Sequence, residues 1–184
     1  MTDRNWMFLK SVLRWIRRGN FLKIVIEFLL RMFALLSLAL LAVSVLYFWI
    51  FNFPDRFLVG VGLLYFQLLL VVGFYFLFQI LWLGARQVKL IDNYLLTTVE
   101  IFILLFRLVG EISLLFGFVW GVGGGILGFL SRFIPDFPAA VPYLPFHLRQ
   151  NPGMYMFGFI SGALALFALC YLISELLLMK LKSS

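Results

Sequence analysis

Charge is scarce in this chain. Only 12% of its 184 residues are Asp, Glu, Lys or Arg, about half the roughly 25% of a soluble domain, and 64% are hydrophobic where about 45–50% is usual. That imbalance excludes a lone water-soluble globule. There is one cysteine, Cys170, set between Leu169 and Tyr171 in an apolar run. It can form no internal disulfide and belongs to no C-x-x-C pair, so it reads as a small buried hydrophobe. There is one histidine, His147, too few for a bis-histidine haem and without H-E-x-x-H spacing, so no metal or cofactor is expected. A Walker A loop, a G-x-S-x-G elbow and a plausible Cys/His pair are also missing. Asp55, Asp92 and Asp136 fall in separate loops and assemble no paired-carboxylate site. The sequence therefore predicts a non-enzymatic protein.

Long apolar runs are what it does have. A helix needs about 20 apolar residues to cross a hydrocarbon core about 30 Å thick, where lipid cannot satisfy the backbone. Four regions qualify, at about 32–51, 57–83, 94–130 and 154–179, and they predict an all-α membrane protein with four transmembrane helices in a bundle (residues 21–184). The net charge of +7 would suggest nucleic acid in a soluble protein. Here eleven of the fifteen basic residues flank the apolar runs on one side: seven within residues 1–31, then Arg86, Lys89, Lys180 and Lys182. Such a bias reports orientation. It predicts both termini in the cytoplasm, no nucleic-acid partner, and an external Pro/aromatic loop over 131–153 that cannot be a regular helix.

Residues 1–20 read as a basic amphipathic helix lying in the membrane interface. Lys10, Arg14, Arg17 and Arg18 share one arc and Phe8, Leu9, Val12, Leu13, Trp15 and Ile16 the other, with Gly19 and Asn20 as the break. Anionic lipid headgroups are the expected partners of the basic arc. The basic region is too long, and a small-x-small cleavage site too clearly missing, for a secretory peptide. The charge pattern favours a bacterial inner membrane. An Arg-rich start also resembles a mitochondrial presequence, which leaves an organellar membrane as the alternative.

Two charged stripes interrupt the apolar helices. Lys23, Glu27 and Arg31 lie at i, i+4 and i+8. Glu100, Arg107 and Glu111 are nearly aligned too, since seven and eleven residues return to within about 20° of one helical face. If the third span starts near residue 94, Arg107 and Glu111 stand at mid-bilayer, where charges mark an ion path, a proton relay or a buried pair. If it covers 112–130, the charges form a polar collar at the cytoplasmic edge, with Lys23, Glu27 and Arg31 as partners of Glu100, Arg107 and Glu111. The collar is the favoured reading.

Glycines recur every four residues in the third and fourth spans, as Gly117, Gly121 and Gly125 and as Gly158 and Gly162. Such spacing lets helix backbones approach closely, within one chain or across an oligomer. Gly123, Gly125 and Gly128 formally match G-x-G-x-x-G, but a membrane helix before them and a proline-rich loop after them reject a nucleotide site. A kink or local unwinding is expected at that triple glycine. The functional expectation is a small integral subunit or assembly factor of a larger membrane complex, joined to other subunits or to itself. The alternative is a small oligomeric channel or transporter in which Glu100, Arg107 and Glu111 line a polar path.

Overall fold

A computed structural model of the chain describes residues 20–51, 57–91, 97–133 and 151–183. Four helices account for nearly all of them: α1 (Asn20–Phe51), α2 (Phe57–Leu90), α3 (Thr97–Phe133) and α4 (Pro152–Ser183). All four are long and apolar enough to cross a membrane. Their 32 to 37 residues correspond to about 48–56 Å of helix, well beyond the hydrocarbon core. The expected interfacial helix, with Lys10, Arg14, Arg17 and Arg18, lies outside the described residues, as does most of the 131–153 loop. Its two ends differ from expectation. Ser131–Phe133 complete α3, and Pro152 and Gly153 open α4. Proline suits a first helical turn because its missing N–H has no intrahelical partner there.

Successive helices pack against one another, α1 on α2, α2 on α3 and α3 on α4, and α3 also touches α1. Each neighbouring pair is antiparallel, because Lys23 meets Ile91, Gly84 meets Leu108 and Arg107 meets Glu175. The start of α1 and the end of α4 thus share one end of the molecule, called the terminal end below. Leu30 and Ala34 of α1, Leu81, Ala85 and Val88 of α2, and Leu108 of α3 form a core in that half. Toward the opposite end, Phe66 meets Trp120 edge to face with ring centroids 6.1 Å apart.

The glycines set the α3–α4 spacing. A β-carbon on Gly117 would fall on the Cβ of Ala163, one on Gly121 would lie 3.0 Å from the Ile160 side chain, and one on Gly125 would lie 2.8 Å from the Met156 sulfur. These three glycines form a groove that α4 fills. The triple glycine does not unwind, for α3 is helical throughout. Here glycine serves close approach on two sides, since Gly123 receives Leu69 from α2 while Gly125 receives Met156 from α4. Packing on both flanks holds the helix that the local sequence alone would weaken.

Candidate functional site at the α3–α4 seam

The polar side chains on the seam lie toward the terminal end. Gly110 and Gly117 face α4 directly, so Arg107 and Glu111 lie about 60° and 100° around the helix from Gly110, at the edge of the contact. The Arg107 guanidinium reaches Glu175 of α4, Nη2 to Oε1, at 2.9 Å. It also stands over the Tyr171 ring, 5.8 Å from its centroid. The Tyr171 hydroxyl donates to Glu111 Oε1 at 3.3 Å. Four side chains from two helices thus form one chain of contacts, Glu175–Arg107–Tyr171–Glu111. The Arg107 Nε–H has no acceptor among the described residues.

Two serines bind the same seam to the backbone. Ser174, fully buried, donates to the Cys170 carbonyl of its own helix at 2.8 Å and lies 3.3 Å from the Ile103 carbonyl of α3. Ser113 donates to the Gly110 carbonyl at 2.8 Å and lies 3.4 Å from that of Ala163. These short hydroxyls satisfy themselves locally while marking where the two backbones come closest. Cys170, 4% exposed, packs against Gly110, the small buried role its surroundings suggested.

Among the described residues, the ion pairs of the two charged stripes run within α1 and from α3 to α4. Glu27 and Arg31 form an i,i+4 pair at 2.6 Å, and the Arg31 guanidinium stands 5.6 Å from the Trp82 ring centroid of α2. Lys23 Nζ donates to the Ile91 carbonyl at 2.6 Å. The α1 charges therefore fasten α1 to α2, and Arg107 takes Glu175 of α4. The cause is packing order: α1 lies along α2 and only brushes α3, whereas α4 runs the length of α3. Glu100, half-buried, sits seven residues before Arg107 on the same side of α3.

All the helices with seam charges extend well beyond them. Beyond the charged residues, toward the end away from the termini, about 30 Å of α1 remains after Arg31, about 33 Å of α3 after Glu111, and about 35 Å of α4 before Glu175. Each remainder is long enough to cross a hydrocarbon core of about 30 Å. The Arg107–Glu175 pair lies on the surface of the helix bundle, its side chains 38% and 57% exposed. In that remainder of α3 the described polar side chains before the last turn's Arg132 are Ser113 and Ser131, and both hydroxyls bond carbonyls of their own helix. Among the described residues no group of three His, Cys, Asp or Glu is placed to hold a metal ion.

The glycines of α4 tell a different story from those of α3. Among the described residues, a β-carbon on Gly158 or Gly162 would meet nothing within 4 Å. Gly158 lies about 140° around the helix from Ala163, so this small-residue face points away from α3. The seam and its flanks define an α-helical integral membrane protein of the multi-pass class. Comparison with known proteins finds no family model, no curated protein and no solved structure that matches the chain.

Proposed function

We propose that the protein is a small, non-enzymatic integral subunit or assembly factor of a larger membrane complex, with both termini cytoplasmic in a bacterial inner membrane. The observation that carries this reading is the unfilled Gly158–Gly162 face of α4. Lipid tails fill small-residue grooves poorly, and in membranes such grooves gain most from a second helix. One glycine row, on α3, is already occupied within the chain, and the other is open. Anionic headgroups would hold the basic segment at residues 10–18. The charge layer at the terminal end then stands at the cytoplasmic edge of the bilayer, where its pairs need only modest compensation.

The test is isolation of the tagged chain in mild detergent, with and without Gly162→Leu. Specific co-purifying polypeptides, lost with the leucine, support the subunit reading. A chain that runs alone with or without the leucine overturns it. The competing channel reading rests on the half-exposed Glu111, Arg107 and Glu175. It predicts ion flux in liposomes that Glu100→Gln or Arg107→Leu abolishes while assembly persists. The apolar stretch of α3 beyond Ser113 argues against such a path.

A further inference from the structure

One outward stripe of α2 changes polarity in a definite order. Leu64, Leu68, Val71, Tyr75, Gln79, Trp82, Arg86 and Lys89 follow one another at intervals of three or four residues, and so lie on one face of the helix. Leu64, Leu68 and Val71 are exposed hydrophobics. Tyr75 and Gln79 come next, with Gln79 Nε2 donating to the Tyr75 hydroxyl at 2.7 Å. Trp82 follows, covered on one side by Arg31 of α1. The stripe ends in Arg86 and Lys89, both exposed. From apolar through amphipathic to cationic, the order matches a phospholipid read from acyl chain through glycerol ester to phosphate. Val71 is about 16 Å along the helix from Trp82, close to half of a hydrocarbon core of about 30 Å.

Charge decides which lipid. Glu27 balances Arg31, which leaves Arg86 and Lys89 as two exposed cations without a carboxylate partner among the described residues. The negative end of α2 would repel an anion, but the Lys23 ammonium lies against the Ile91 carbonyl there. On the other hairpin, at the same end of the molecule, Glu100, Glu111 and Glu175 are matched by Arg107, Lys180 and Lys182, whereas on the α1–α2 side Lys23, Arg31, Arg86 and Lys89 face Glu27 alone among the described residues. An anionic headgroup is thus attracted more strongly to the α1–α2 side than to the balanced α3–α4 side. We infer that the α2 stripe, with Arg31, is a binding site for an anionic phospholipid, its phosphate on Arg86 and Lys89 and its acyl chain along Val71 and Leu68. This inference rests on the membrane reading and is independent of the subunit reading.

The test uses the full chain in neutral detergent micelles, which have no leaflets and so remove any effect of orientation. Titrations with phosphatidylglycerol, phosphatidylcholine and inorganic phosphate are followed by native mass spectrometry and by tryptophan fluorescence. The wild type is expected to prefer phosphatidylglycerol. The Arg86→Gln/Lys89→Gln variant should lose about 10- to 30-fold in affinity for it, while Arg86→Lys/Lys89→Arg and Lys180→Gln stay within about twofold. Unchanged helicity by circular dichroism confirms that each variant is folded. Equal binding of both lipids by the wild type, an equal loss in Lys180→Gln, or full displacement by inorganic phosphate would each overturn the site. Failure here leaves the Gly162→Leu experiment untouched, so the two readings fail separately.

Discussion

A single methyl group distinguishes the two glycine rows. Alanine at Gly117 places a β-carbon on that of Ala163 and 3.2 Å from the Phe159 carbonyl oxygen. Neither neighbour has a rotamer that moves it aside, so the backbones of α3 and α4 must separate. Overpacking of this kind costs about 1–3 kcal/mol. The same change also gains up to about 1 kcal/mol of helix propensity. Alanine at Gly158 collects the propensity and, among the described residues, meets nothing within 4 Å. Subtracting one variant from the other cancels the propensity and leaves the overpacking, about 1–3 kcal/mol, or about 5- to 160-fold in the ratio of folded to unfolded chain. The assay is reversible unfolding in mixed micelles with increasing dodecyl sulfate, read by circular dichroism. Adding Ala163→Gly to Gly117→Ala removes the offending methyl, and the double-mutant cycle should return a coupling energy of similar size. Equal stability of the two single alanine variants, or a more stable Gly117→Ala, would refute the claim that this groove is filled within the chain.

Other outcomes follow from the seam and its depth. Arg107→Gln and Glu175→Gln should each cost under about 1 kcal/mol in the same unfolding assay, as for exposed pairs; a loss of about 3–5 kcal/mol is the signature of a pair buried in hydrocarbon. Ser174→Ala removes hydroxyl contacts to the Cys170 and Ile103 carbonyls and should destabilise by about 0.5–1.5 kcal/mol. Cys170, the sole cysteine and only 4% exposed, should react slowly with maleimide in the folded protein and faster in Gly117→Ala, where the seam is opened. In a Cys170→Ala background, single cysteines at 100, 107 and 111 should label with a membrane-impermeant reagent from one side only, which fixes both their depth and the orientation of the terminal end.

The four helices could be read from the residues because hydrocarbon imposes one demand on every spanning segment, long apolar runs without breaks. The number of helices and their order were visible in those runs. Partner choice was not. Glu175 stands alone in a long apolar run, and nothing in its neighbours tells which residue of α3 it meets; that depends on the register in which two helices slide together. The same limit separates Gly117 from Gly158. Their spacings are alike, yet the neighbour each row faces is set by which helix lies along that side. The triple glycine misled for a related reason, since weak local propensity predicts unwinding only where no neighbour supports the helix, and Leu69 and Met156 support it from both flanks.

Among the described residues α4 packs chiefly on α3, and it leaves the ribosome after α3. Until then the groove of Gly117, Gly121 and Gly125 stands vacant in the lipid, shaped to admit a helix with an alanine at the right height. The first three helices therefore amount to a socket and the fourth to its plug. A chain divided between α3 and α4 has the parts to reassemble from two separately made fragments. Any foreign helix that claims the socket first would lock the native α4 out.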